Sequence, residues 1–93
     1  MDASQRIALI ESRLTEAFDP TSLEIIDDSH KHAGHAGAKH GGHFTVNIVS
    51  QAFAGQTLVQ RHRLIYQALG EAMQTEIHAL SIKAQSAEEI SKP

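Results

Sequence analysis

The chain has no cysteine and no tryptophan, only two prolines, and four aromatic residues among its 93, namely Phe18, Phe44, Phe53 and Tyr66. Without cysteine there is no disulfide, no thiol nucleophile and no cysteine-held zinc or iron–sulfur site within the chain. With so few aromatics, any core must be mainly aliphatic. Long apolar runs are also missing. The start, MDASQRIALIESRL, lacks the uninterrupted apolar region of a signal peptide, and no segment approaches membrane-spanning length, so a cytoplasmic protein with no membrane association is the simplest expectation. Positive charge is scarce: 8 Lys and Arg face 11 Asp and Glu, for a net charge of -3. That is a poor electrostatic footprint for nucleic acid. No phosphate-cradling loop, HExxH pair or nucleophile elbow is present, so no enzymatic activity is expected.

What the chain does have is histidine. Five of its seven histidines fall between His30 and Phe44, in HKHAGHAGAKHGGHF. Charging all seven would move the formal charge from -3 to +4 (-3 + 7), so the sign of the molecule depends on pH. The run lies mid-chain between two hydrophobic segments, which excludes an expression tag. Short histidine-rich tracts pick up divalent metals opportunistically. The glycine spacing does not preorganise four ligands for a structural zinc.

The remaining sequence reads as one α+β domain spanning 1–93, with a core over about 4–85, a flexible loop at 30–42 and a frayed tail at 86–93. Ile7, Ile10, Leu14, Ala17 and Phe18 recur at helical spacing. Asp2 and Gln5 are placed for a capping box, and Pro20 stops the helix. SLEIIDD reads as a strand. In HFTVNIVS, Phe44, Val46 and Ile48 alternate with Thr45 and Asn47, which predicts a half-buried strand. A helix is expected from about Leu58 to Gln74, with Leu58, His62, Ile65, Tyr66, Leu69, Ala72 and Met73 on one face. A third strand is expected at 76–84, with His78, Leu80, Ile82 and Ala84 pointing one way. Ser86 and Glu89 form a capping-box pattern for a short terminal helix.

A helix joining the second strand to the third predicts a crossover that makes them parallel neighbours. Helices then cover one face of a three-stranded mixed sheet. Both strands would begin at the same end of the sheet. His78, remote in sequence, would then stand beside the base of the histidine loop.

LEIIDDSHKHAGH, GGHFTVNIVSQAFAG, LVQRHRLIYQAL and IHALSIKA, taken in order, resemble the successive signatures of the BolA-like family. The resemblance runs from about Ile7 to Ala84, and the combination of HF, VSxxFxG, RHRxxY and HAL in this spacing is specific. It implies an αββααβ fold akin to the class II KH domain. It also implies two roles. One is heterodimeric partnership with a monothiol glutaredoxin through a shared [2Fe–2S] cluster, in iron–sulfur trafficking or iron regulation. The other is DNA binding and transcriptional regulation linked to stress and cell shape. For the first role, the resemblance points to the HAL histidine, His78, and to a loop histidine. His32 stands three residues after the serine of DDS, with His30 and His35 as alternates.

The donor chemistry is compatible with that role. A [2Fe–2S] cluster takes four ligands, and two histidines can replace two cysteines on one iron. A chain without cysteine can supply imidazoles only, so the thiolates would come from the glutaredoxin and glutathione. Free of a partner, the chain is expected to hold no cofactor. Beside this stands a plainer reading of His78 as a strand histidine hydrogen-bonded to backbone. His43 and His62 are expected to be structural, His62 by ordering the start of its helix. Arg61, Arg63 and Lys83 are the basic residues available for nucleic acid. The stretch QAFAGQTLVQRHR carries no GXXG of the kind KH domains use to grip a backbone. DNA binding therefore rests on the resemblance and not on charge.

Overall fold

The computed structural model describes residues 2–28, 42–75 and 77–91. The elements follow the order α1 (Ala3–Phe18), β1 (Ser22–Asp27), β2 (Gly42–Val49), α2 (Leu58–Leu69), α3 (Ala72–Thr75), β3 (Ile77–Gln85) and α4 (Ala87–Ser91), with a 3-10 turn at Gln51–Phe53. The three strands form one sheet in the order β1-β2-β3. β1 pairs antiparallel with β2, and β2 pairs parallel with β3. This is the expected mixed sheet. Of the expected loop at 30–42, Gly42 is the first residue of β2, and 30–41 lie outside the described residues.

Local chemistry accounts for the helix starts. The Gln5 amide donates to Asp2 Oδ1, and the Asp2 amide donates to Gln5 Oε1, both at 2.8 Å. Such a reciprocal cap is worth about 1 kcal/mol. Thr57 and Gln60 form a second capping box, at 3.1 and 2.9 Å. Their box starts α2 at Leu58. α1 ends at Asp19 in the left-handed region (φ 43°, ψ 58°), immediately before Pro20.

Phe44, Val46 and Ile48 are buried on one face of β2, under Ile10, Leu14 and Phe18 of α1 and Ile65 and Leu69 of α2. Each such side chain contributes about 1.5–3 kcal/mol by leaving water. The VSxxFxG signature has a structural explanation. Buried Ser50 donates its hydroxyl to Phe18 O and accepts from the Ala52 amide, tying the end of α1 to the 3-10 turn. Phe53 is fully buried against Phe18, with ring centroids 5.0 Å apart. Gly55 takes φ 76°, a backbone state that glycine reaches without strain.

Two expected faces are corrected. On α2 the buried residues are Arg61, Ile65 and Leu69, whereas Leu58 and Tyr66 are 68% and 43% exposed. The helix is rotated from the face that hydrophobicity suggests, because Arg61 finds acceptors inside. In α1, Ala17 is exposed rather than part of the apolar face. The single long helix predicted after Leu58 is also interrupted: Gly70 adopts φ 55° and ψ -130°, separating α2 from α3.

Candidate functional site at the loop end of the sheet

β2 and β3 start at the same end of the sheet. Gly42 stands opposite Ile77 and His43 opposite Ala79, with a register shift between them. His78 is therefore the additional residue of a β-bulge. The bulge explains a change of parity along β3. Ile77 is buried with Ala84, and Leu80 and Ile82 pack against the same core, although simple alternation would separate Ile77 from the other three.

The other margin of the loop lies at this end too. The Asp28 amide donates to His43 O at 2.7 Å, one rung beyond the β1–β2 ladder. Thr45 Oγ1 donates to Asp28 Oδ2 at 2.5 Å. Asp28, half-buried His43 and the backbone of His78 thus frame the base from which the histidine run departs. His30, His32 and His35 lie outside the described residues. Among the described residues there is no group of three or more His, Cys, Asp or Glu able to hold a metal ion. The donor set at this end offers imidazole and carboxylate and no thiolate, so it fits at most part of a cluster's coordination.

The opposite end of β3 is organised by Arg61. Its Nε donates to Gln56 O at 2.9 Å, and its Nη1 donates to Ala84 O at 2.8 Å and to Glu89 Oε1 at 2.7 Å. Arg61 is 6% exposed. It is therefore withdrawn from the basic surface expected for nucleic acid: its charge is spent inside the fold, where the guanidinium fork fits several acceptors at once. Arg63 and Lys83 are exposed. Hydrogen bonds from the Ser86 backbone and from Arg61 hold the Glu89 carboxyl below the usual glutamate range. His62 is half-buried and meets the Tyr66 ring edge-on at 6.5 Å. The start of its helix is capped by Thr57 and Gln60. The role of Arg61 left one trace in the sequence, its fourfold spacing with Ile65 and Leu69.

Comparison with known proteins agrees with this architecture. Residues 14–89 match the BolA-like protein family. The chain belongs to the BolA-like family. It is 43% identical over 88 residues to Protein BOLA1, chloroplastic, of Arabidopsis thaliana, covering 90% of this chain and 55% of that one. It is 42% identical over 73 residues to the DNA-binding transcriptional regulator BolA of Escherichia coli, covering 78% and 68% of the two chains. Against SufE-like protein 1, chloroplastic/mitochondrial, of Arabidopsis thaliana, it is 42% identical over 87 residues and spans 24% of that protein. The chain thus covers a quarter to about half the length of the two plant relatives. The solved BolA domain of SufE1 from Arabidopsis thaliana superposes with a TM-score of 0.81 at 43% identity, covering 96% of this chain and 99% of that one. The BolA-like signatures that carry the resemblance map onto defined parts: VSxxFxG onto the corner after β2, RHRxxY onto α2 and HAL onto the bulge of β3. Among the described residues, no helix is long and apolar enough to cross a membrane.

Proposed function

We propose that this BolA-like chain is an adaptor that pairs with a monothiol glutaredoxin and co-ligates a [2Fe–2S] cluster, in cluster trafficking or iron regulation. His78 is one ligand. A loop histidine is the other, His32 first, with His30 and His35 as alternates. The glutaredoxin's cysteine and glutathione supply the thiolates that this chain lacks. The observation that supports the reading is the parallel β2–β3 register, which sets the backbone of His78 beside Gly42 and His43 at the mouth of the histidine run. The residues of this chain act by presenting neutral imidazoles and by fixing the base of the loop through Asp28 and Thr45. Ligation requires the unprotonated ring nitrogen, so cluster sharing weakens as acid protonates the imidazoles. A cytoplasmic setting belongs to this reading; the plant relatives named above carry organellar names.

The test is reconstitution with a monothiol glutaredoxin, iron, sulfide and glutathione. The wild-type chain is expected to give a heterodimer whose visible spectrum differs from that of the glutaredoxin homodimer. His78→Ala, with an unchanged far-UV circular dichroism spectrum, is expected to lose that difference. An identical cluster spectrum and stability for His78→Ala and wild type overturns the proposal.

A second reading, direct DNA binding as a transcriptional regulator, is favoured by the name of the Escherichia coli relative. Its surface here is reduced to exposed Arg63 and Lys83. If each meets a phosphate, Arg63→Ala and Lys83→Ala should each weaken binding and lower the salt slope by about 1. A salt series in which both variants bind as wild type does removes this surface.

A further inference from the structure

Arg61 is a buried cation whose ion-pair partner is peripheral. The Arg61 side chain is 7% exposed and that of Glu89 is 43% exposed, at 2.7 Å. Glu89 sits on α4, a five-residue helix whose residues Ala87 to Ile90 are all exposed. None of those four side chains belongs to the hydrophobic core. A helix this short is not stable on its own in water. It is fastened by polar links: the Ser86 amide donates to Glu89 Oε1 at 2.7 Å, the Glu89 amide donates to Ser86 Oγ at 3.4 Å, and Gln51 reaches Glu88 at 3.5 Å. One oxygen, Glu89 Oε1, therefore both caps α4 and neutralises Arg61.

We propose that α4 is a latch whose Glu89 carboxylate occupies the oxyanion-receiving side of Arg61, so that Arg61 accepts a phosphate group only when α4 is displaced. Carboxylate and phosphate oxygens are interchangeable acceptors for a guanidinium. The bonds to Gln56 O and Ala84 O do not involve α4, and they keep the side chain in place when the latch opens. The site lies at the C-terminal end of β3, away from the histidine end, and does not rest on the cluster reading.

The test compares wild type, Glu89→Gln and Glu88→Gln. The last changes charge equally on the same helix without touching Arg61. Amide hydrogen exchange reports the latch, and the Arg61 Nε–H resonance reports the site during titration with inorganic phosphate and, separately, with a DNA duplex. In Glu89→Gln, exchange at residues 87–91 should quicken while β2 amides stay unchanged. Phosphate should shift the Arg61 resonance at a concentration lower by on the order of fivefold to tenfold than in the other two proteins. A response to phosphate alone identifies a free anion as the ligand; a response to both probes identifies the nucleic-acid backbone as a source. Equal responses in all three proteins, unchanged exchange in α4, or loss of protection shared with β2 overturns the latch.

Discussion

The Arg61 guanidinium donates to a nearby loop carbonyl, to a β3 carbonyl and to a carboxylate on α4, so one side chain joins the start of α2 to two segments distant in sequence. Arg61→Leu keeps most of the aliphatic stem but leaves the Ala84 and Gln56 carbonyls without this donor. The expected loss is about 2–3 kcal/mol, read as a lower urea midpoint at constant slope. Arg63→Ala, on the exposed side of the same helix, should change stability by less than about 0.5 kcal/mol. The pair of substitutions thus separates a structural arginine from a surface one. It also shows why Arg61 variants are unsuited to testing DNA contact: lost binding would follow from a loosened fold. Nothing in the local sequence RHR distinguishes the two arginines, because the difference lies in acceptors that come from residues 56, 84 and 89.

At the level of elements, the caps were readable because they are local. Asp2 with Gln5 and Ser86 with Glu89 bond over three residues, and the pattern alone identifies them. The alternation of Phe44, Val46 and Ile48 was equally plain, since the central strand is buried on the face that carries them. The break between α2 and α3 is implied by the αββααβ pattern, but the periodicity of the residues does not place it. Apolar periodicity continues through Leu69, Ala72 and Met73, and a lone glycine within such a pattern is often tolerated in a helix. Here Gly70 turns the chain, with φ 55° and ψ -130°. A β-carbon at Gly70 would meet nothing closer than 3.9 Å, so the cost of Gly70→Ala is conformational and not steric. It should destabilise the fold by about 1–2 kcal/mol, seen as a lower thermal midpoint. An unchanged midpoint would mean that α2 and α3 can fuse into one helix without loss.

For the whole molecule, charge and connectivity bear on function together. The net charge of -3 disfavours sequence-independent DNA affinity at neutral pH, and protonation of the histidines reverses its sign. DNA titrations are therefore best interpreted above pH 7, where attraction by charged histidines is small. By itself the sequence determined the family, the order of the elements, the parallel crossover and the limit that this chain can offer imidazoles but no thiolates. These follow from residue identity and from periodicities of two and 3.6, which are properties of neighbouring positions. Only the tertiary structure decided that His78 is the extra residue of a bulge, that α2 turns Arg61 inward, and that Leu58 and Tyr66 face out. Each of those depends on the register of a distant strand or on the location of a distant acceptor, and a buried charge adopts whichever placement satisfies its hydrogen bonds.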